Sequence, residues 1–257
     1  MDRTRFPMLL RGLAQALEMS KLSLDALRRI GRRPFEWAAL MEQIDSIGVR
    51  STSVVLLTAI FSSMVITIQF AEQLSRFGAK EWVGSAVGVS LARELGPVMT
   101  ALMVGGRVGA GIAAELGSMS VTEQIDAIRA LGADPVKKLV VPRLLATMIV
   151  LPLMSAVAVV IGVLAGAFVS AMDPNVHFYS FVAGALRSVT LSDFVSGVTK
   201  TVFFAFNIAI VASYKGMNTR GGTVGVGLAT TQTVVISSVV TLIMDFILTR
   251  ALLEAGL

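Results

Sequence analysis

Long uncharged apolar runs alternate with short charged segments along most of this chain. The first run extends from Ser51 to Ala71 and contains no charged residue. A helix needs about 20 apolar residues to cross a hydrocarbon core of about 30 Å. The pattern therefore predicts an all-α integral membrane protein with a membrane domain over residues 51–257. Its five predicted transmembrane helices cover residues 51–71, 82–106, 144–172, 194–214 and 222–249.

The first fifty residues have a different, amphipathic pattern. Leucines recur at steps of three and four residues, or sums of them, and so share one helical face: Leu10, Leu13, Leu17, Leu24 and Leu27. Basic residues surround this stripe, as is typical of a helix lying at the membrane interface over anionic lipid. A soluble helix packed on a partner is the alternative. Pro34 should end the helix, and a second amphipathic piece carrying Trp37 follows. Residues 1–50 are thus predicted to form an amphipathic interfacial region.

Composition supports a membrane protein and excludes several kinds of site. Of 257 residues, 54% are hydrophobic and 15% charged, with a mean hydropathy of +0.77, whereas soluble domains carry about 25% charged residues. There is no cysteine, and the single histidine, His177, cannot form a histidine metal site alone. The chain has no G-x-x-x-x-G-K-[ST] motif, so we expect no ATP or other cofactor bound through a P-loop in this chain.

The distribution of basic residues predicts the orientation. Nine Lys and Arg precede the first span, five lie between residues 107 and 143, and two lie at Lys215 and Arg220, sixteen in all on one side. The other side has four. Because basic loops stay in the cytoplasm, the N-terminus and the loop 107–143 should be cytoplasmic and the C-terminus outside. The net charge of +5 is explained by these loops, and no nucleic-acid partner is expected. The outer connection at 173–190 is expected to contain a short helix.

Charged residues inside the predicted spans mark a candidate site. Arg93 and Glu94 lie in the second span beside Pro97. A charge at the centre of a membrane helix costs roughly 2.5–3.5 kcal/mol. Neighbouring residues point about 100° apart on a helix, so these two cannot pair with each other. Their partners must be other helices, a second copy of the chain or a water-filled cavity.

Two interpretations of these charges are open. They could join helices, or they could line a cavity that binds substrate, which the adjacent Gly96-Pro97 favours. The predicted substrate-binding set is Arg93, Glu94, Gln69 and Pro97. In the fourth and fifth spans, Lys200 and Asp245 are predicted to form a structural ion pair, with a role in transport as the alternative.

The loop between the second and third spans predicts a short helix. Ser120-Val-Thr-Glu123 matches a capping box, Gly132 suits the residue after a helix, and Asp134-Pro135 should stop it. The pattern indicates about three turns over residues 121–131, with an apolar face that docks into a soluble partner. A plain connector is the alternative. The predicted coupling residues are Glu123, Ile125, Ile128, Arg129, Leu131 and Gly132.

The run LARELGPVMTALMVGGRVGAGIAAELGSMSVTEQIDAIRALGADP, followed by Pro142-Arg143, resembles the MlaE-type permeases of the MCE-associated ABC transporters. The likeness extends from about residue 45 to the C-terminus. It implies a homodimer in the bacterial inner membrane, two cytoplasmic ATPases that bind ATP and Mg, and periplasmic MCE-domain proteins. A small cytoplasmic accessory subunit is a further partner that the resemblance allows. It also implies that Glu123–Gly132 is the coupling helix and that Arg93 and Glu94 lie near a lipid pocket at the dimer centre.

We therefore expect a permease subunit that moves phospholipid between bacterial membranes, with ATP hydrolysed by a separate chain. ATPase closure would push the helix 121–131, and the link 107–117 would carry this motion to the second span. One alternative is another lipophilic cargo, such as a sterol or fatty acid. A second is an ion-coupled transporter that uses the four intramembrane charges as a relay, although the five spans show no obvious internal repeat. A third is a passive scaffold, in which neutral residues at positions 93 and 94 would leave function intact.

Overall fold

The computed structural model describes residues 5–31, 36–172 and 177–256, with side chains from residue 13 onward. Within these ranges all regular structure is helical, and five helical stretches are long and apolar enough to cross a membrane. Each overlaps one predicted span in the same order, so the all-α membrane fold is confirmed. The stretches are Trp37–Ser75, Lys80–Val121, Val136–Ser170, Leu191–Met217 and Gly222–Glu254.

Two helices form the N-terminal part of the chain. Helix α1 covers Arg5–Ile30 and helix α2 covers Trp37–Ser75. Helix α2 runs without a break through residue 50, so the second amphipathic piece forms the first turns of a spanning helix. Pro34, expected to separate the two, lies outside the described residues.

Helix α1 contacts the membrane helices with one face and exposes another. Ala26 is buried in a cluster with Val140 and Ala209, and Leu22 and Ile30 pack beside it. The predicted leucine stripe points away from this contact, since the side chains described for it are all exposed: Leu13, Leu17, Leu24 and Leu27. The side chain of Leu10 is outside the described part. Such an exposed apolar stripe is typical of helices at a membrane interface, and the interfacial position of α1 stays a prediction.

The second stretch is one long helix interrupted by two π-helical segments. A 3₁₀ turn at Lys80–Trp82 leads into it. The prediction that residue 107 begins a loop is wrong, because residues 107–121 continue the helix. Their glycines and alanines allow close packing on neighbouring helices. The parts in order are α3 Val83–Ser90, π Leu91–Leu95, α4 Gly96–Val104, π Gly105–Gly109 and α5 Ala110–Val121.

The remaining helices complete the bundle. Helix α8, in the predicted outer connection, packs Phe181 and Ala185 on α3 at Gly84 and Gly88. Residues 173–176 of that connection are outside the described part. A π segment at Val136–Val140 precedes α7. The helices are α6 Gln124–Ala130, α7 Val141–Ser170, α8 Phe178–Ser188, α9 Leu191–Met217 and α10 Gly222–Glu254.

Helices α7 and α9 lie at the centre, and α2 and α10 lie at the rim. Gly162 and Gly166 of α7 face Ser63 and Thr67 of α2, and the Ser63 hydroxyl donates to the Gly162 carbonyl at 2.5 Å. The outward faces of the rim helices carry large exposed apolar side chains, such as Phe246 on α10. Such faces are stable only against lipid or against another protein surface.

Candidate functional site

A buried lysine joins three helical elements inside the membrane domain. Lys200 on α9 is 1% exposed. Its Nζ donates to Glu94 Oε1 at 2.7 Å and to Thr249 Oγ1 at 2.6 Å, and lies 3.4 Å from Asp245 Oδ1. We call these four residues the Lys200 cluster. The expected contact between Lys200 and Asp245 is present, but the carboxylate nearest to the lysine is Glu94.

Pro97 helps to explain how the lysine is held. In a regular α-helix the N–H of residue 97 would bond to the carbonyl of residue 93. Proline has no N–H, so the Arg93 carbonyl loses this donor. Lys200 Nζ donates to that carbonyl at 3.1 Å. The break made by Pro97 thus creates an acceptor for the buried ammonium group.

Arg93 has a different partner, which the sequence did not reveal. Its Nε donates to Asp193 Oδ1 at the start of α9. The other oxygen of Asp193 accepts from the backbone N–H and the hydroxyl of Thr190, both at 2.8 Å, which completes a capping box. The Arg93 side chain is 34% exposed, whereas that of Asp193 is almost fully buried. Arg93 is therefore anchored at one nitrogen and accessible over part of its surface.

A glycine brings α9 close enough for both contacts. A Cβ on Gly197 would lie 2.0 Å from the Ala92 carbonyl oxygen and 3.1 Å from Pro97 Cγ. No larger residue fits there without moving the helices apart. Gly197 lies between Asp193 and Lys200 along α9, so this close approach places both side chains against the π segment Leu91–Leu95.

Two members of the predicted substrate-binding set lie apart from the exposed charges. Pro97 is buried against α9 and acts through the backbone of Arg93. Gln69 is exposed on α2 and belongs to neither ion-pair group in the described part of the chain. The structure thus brings Arg93 and Glu94 together with Lys200, Asp245 and Asp193, and leaves Gln69 outside.

The predicted coupling helix exists, but its start is built differently. Helix α6 covers only Gln124–Ala130, about two turns, and no side-chain capping bond precedes it. Glu123 adopts a left-handed conformation with φ 60°. The Ser120 hydroxyl instead donates to the carbonyls of Met217 at 3.2 Å and Thr219 at 3.1 Å. The predicted capping box is therefore wrong, and Ser120 ties the end of α5 to the turn between α9 and α10.

The apolar residues in and after α6 differ in burial: some pack inside the protein and one is exposed. Ile125 is 3% exposed and belongs to the main core of the protein, and Ile128 packs against that core. Leu131 is 86% exposed. Gly132 has φ +77°, as expected for the residue that ends a helix. Ile125 is therefore an internal anchor and is not available to a partner, whereas Leu131 is.

The segment after α6 is tied to α1. Arg29 forms an ion pair and hydrogen bond with Asp134 Oδ2, and Asp134 Oδ1 accepts from the Val136 N–H at 3.0 Å. Burial would raise the pKa of Asp134, but the hydrogen bond and charge of Arg29 outweigh it and hold that pKa below its ordinary value. The same hydrogen bond raises the pKa of Arg29. Both ends of the α6 segment are thus attached to other helices.

Comparison with known proteins decides the family. The family model for the MlaE permease matches residues 40–251. The chain belongs to the MlaE permease family. It is 39% identical over 232 residues to a probable ABC transporter permease protein of Rickettsia typhi, covering 90% of both chains. It is 34% identical over 253 residues to the intermembrane phospholipid transport system permease protein MlaE of Haemophilus influenzae, covering 93% of this chain and 97% of that one.

A plant protein extends the relationship beyond bacteria. The permease is 36% identical over 234 residues to TRIGALACTOSYLDIACYLGLYCEROL 1, chloroplastic, of Arabidopsis thaliana, with 91% of this chain and 67% of that one covered. The matched family region contains the second, third and fourth spanning stretches in full and nearly all of the first and fifth, together with the Lys200 cluster and α6. This chain is therefore a multi-pass permease subunit of an ABC transporter.

Proposed function

We propose that this permease moves phospholipid between bacterial membranes, driven by ATP that a separate ATPase subunit binds with Mg and hydrolyses. The observation that carries the proposal is the match, along nearly the whole chain, to a relative named as an intermembrane phospholipid transport permease. The absence of a P-loop motif from this sequence agrees with hydrolysis in another chain.

The same relationship supports the assembly that we propose. Two copies of the permease form a homodimer in the bacterial inner membrane, with an ATPase on the side of α6 and a periplasmic MCE-domain protein on the other side. A small cytoplasmic accessory subunit can join the ATPase. Positive charge on the α6 side supports a cytoplasmic N-terminus and a periplasmic C-terminus. The exposed apolar faces of α2 and α10 are where lipid or the second copy would lie.

The contacts of each charged residue in the membrane domain indicate its role. Glu94 is held by Lys200 and serves to fix α9 and α10 to the π segment. Arg93 is bound to Asp193 through Nε only, and its terminal nitrogens have no described partner. A guanidinium group presents donors in a planar fork that suits a phosphate. Arg93 is therefore the residue proposed to contact the lipid headgroup, with Glu94 as part of the cavity wall.

Transmission from the ATPase runs through rigid elements. The exposed end of α6 at Leu131 contacts the ATPase. Its movement reaches the second helical stretch through α5, and reaches the α9–α10 turn through the Ser120 hydrogen bonds. Because both routes lead to helices that carry the Lys200 cluster, a displacement of α6 changes the surroundings of Arg93. Two π segments in the same stretch provide irregular backbone at functional positions, as is common for such segments.

Co-purification tests this function. The tagged permease should retain a stoichiometric ATPase, and the complex should transfer phospholipid between vesicles only with ATP and Mg. A permease that transports without any ATPase would contradict the proposal and support ion-coupled transport. Transfer of a sterol or fatty acid in place of phospholipid would assign a different cargo.

Labelling of single cysteines tests the orientation. The chain has no native cysteine, and Ser118 and Gly256 are both exposed. Ser118→Cys should react with an impermeant maleimide only from the cytoplasmic side, and Gly256→Cys only from the periplasmic side. Reaction of both from one side would exclude five spans.

A further inference from the structure

A polar cavity lies between α2 and the long second helical stretch, toward the end that leads into α6. It has a volume of about 140 Å³ around the π segment Gly105–Gly109. Its charged and hydroxyl-bearing lining residues include Arg50, Ser51, Arg107 and Glu115. The transport role proposed for Arg93 and the docking role of α6 do not involve this cavity.

The two arginines of the cavity have no partner within the described residues. Neither Arg50 nor Arg107 forms a hydrogen bond or an ion pair there. Arg29, Arg93 and Arg143, in contrast, each bind a carboxylate. Arg50 and Arg107 converge on one cavity from different helices, so their charges add at that place.

One residue that lines the same cavity has a buried hydroxyl group. Ser51 is 2% exposed, and its Oγ has no hydrogen-bond partner in the described part of the chain. Buried polar side chains are normally paired, so an exception calls for an explanation, such as a water, an ion or a ligand. Ser51 and Arg50 both line this cavity, so the Ser51 hydroxyl is a further candidate donor for a ligand there.

The negative charge in the lining is already compensated. Glu115 is the one carboxylate among the described lining residues, and its Oε2 accepts from Arg143 Nη2 at 3.0 Å. Arg143 is itself nearly buried and also donates to the Leu139 carbonyl at 2.8 Å. With Glu115 neutralised in this way, Arg50 and Arg107 leave the cavity positive.

The position along the helices identifies the environment. Arg50 immediately precedes the uncharged run 51–71, and Arg107 immediately follows the uncharged run 95–106. Such boundaries lie at the level of the lipid headgroups. Arg107 is 14 residues from Arg93, or about 21 Å along the helix axis at about 1.5 Å per residue. The cavity is therefore separate from the Lys200 cluster.

We propose that this cavity binds the phosphate of an anionic phospholipid headgroup from the leaflet on the α6 side. The two guanidinium groups act as the charged forks and Ser51 Oγ as an additional donor. Inorganic phosphate has the same chemistry, but the cavity lies where an acyl chain can extend along α2 into the bilayer. The lipid bound here is a resident of the permease, held apart from the transported lipid.

The test uses the purified permease, with its ATPase if that is retained, in nanodiscs of phosphatidylcholine containing phosphatidylglycerol. Native mass spectrometry counts the phosphatidylglycerol molecules that stay bound. Arg50→Gln/Arg107→Gln should lower this retention about tenfold, and Ser51→Ala about threefold. The matched control is Arg76→Gln, which removes an exposed arginine from the opposite end of α2. It should retain as much lipid as the wild type.

Two further measurements keep the proposal open to refutation. Arg50→Lys/Arg107→Lys preserves charge and should retain more phosphatidylglycerol than the glutamine variant, which separates binding from folding. Inorganic phosphate added to nanodiscs of phosphatidylcholine alone should not raise the thermal midpoint of the permease. Phosphatidylglycerol included in the nanodiscs should raise it. Equal retention in the glutamine variant and Arg76→Gln would overturn the site, and stabilisation by inorganic phosphate alone would overturn the lipid assignment. Neither readout depends on ATP or transport.

Discussion

The two ends of the long second helical stretch handle charge in opposite ways. Around Arg93 and Glu94 each charge has an internal partner, and the buried Lys200 donates to three different groups. Toward α6, Arg107 has no partner among the described residues and Leu131 projects outward. The first end pairs every charge at least once within the chain and leaves only the terminal nitrogens of Arg93 for another molecule. The second end presents an arginine and a leucine that only another molecule can contact. A permease driven by a separate ATPase needs both a region held together by internal contacts and an exposed surface for its partner.

Removing the buried lysine should have the largest effect. Lys200→Met leaves the carboxylates of Glu94 and Asp245 near each other without a neighbouring cation. Breaking a buried ion pair in this way costs about 3–5 kcal/mol of folding free energy. We expect the folded yield of the permease to collapse, as measured by size-exclusion chromatography of the solubilised protein.

A compensated variant sharpens this prediction. Lys200→Met/Glu94→Gln/Asp245→Asn removes all three charges and should recover much of the yield. Normal yield of Lys200→Met alone would show that the ion pairs contribute little to the fold.

The next largest effect should come from the exposed end of α6. Leu131→Asp should weaken ATPase binding by about 2 kcal/mol or more, because it removes an apolar side chain from the proposed interface and buries an unpaired carboxylate there. The permease should still insert, since Leu131 makes little contact with its own chain. Ile128 is a poorer probe because it packs against the core.

Leu186→Asp is the matched control for this variant. Leu186 is an exposed leucine on α8, in the connection on the opposite side. It should leave ATPase co-purification unchanged, and equal ATPase content in both variants would remove Leu131 from the interface.

The link between α1 and the segment after α6 should have the smallest effect. Arg29→Gln and Asp134→Asn should each lower stability, with a pair energy of about 0.2–1 kcal/mol in a double-mutant cycle. Because the pKa of Asp134 is held below its ordinary value of 3.8, this contribution is present above that pH and lost as pH falls through the lower, folded-state pKa. Thermal midpoints of the four proteins at pH 7 and pH 3 test this. A pair energy that is zero at pH 7, or larger at pH 3, would contradict it.

The sequence predicts the spans well because bilayer thickness imposes long uncharged runs, and such runs are visible without any tertiary contact. It also shows that Arg93 and Glu94 need partners. It does not show that Asp193 is one of them, because the contact joins residues 100 positions apart. The T-x-x-D pattern at Thr190 marks the start of α9 but gives no indication of what else Asp193 binds.

The false capping box shows a second limit of local patterns. Ser120 and Glu123 have the spacing of a capping box. The Ser120 hydroxyl nevertheless donates to two carbonyls at the α9–α10 turn. Tertiary hydrogen bonds therefore outcompete the local cap, and α6 begins later than predicted. Similarly, the segment 107–121 contains charges that suggest a loop, but its small residues pack on α9 and α10 and keep it helical.

Reconstituted complexes of permease and ATPase test whether Arg93 contacts the transported lipid. The variant is Arg93→Gln/Asp193→Asn, which removes the headgroup contact without stranding a buried carboxylate. We predict that ATP hydrolysis and folded yield persist in this variant. ATP-driven transfer of phospholipid between vesicles should fall at least about tenfold, since a charged hydrogen bond to phosphate is lost. Transfer at the wild-type rate by this variant would contradict the assignment of Arg93 to the transported lipid.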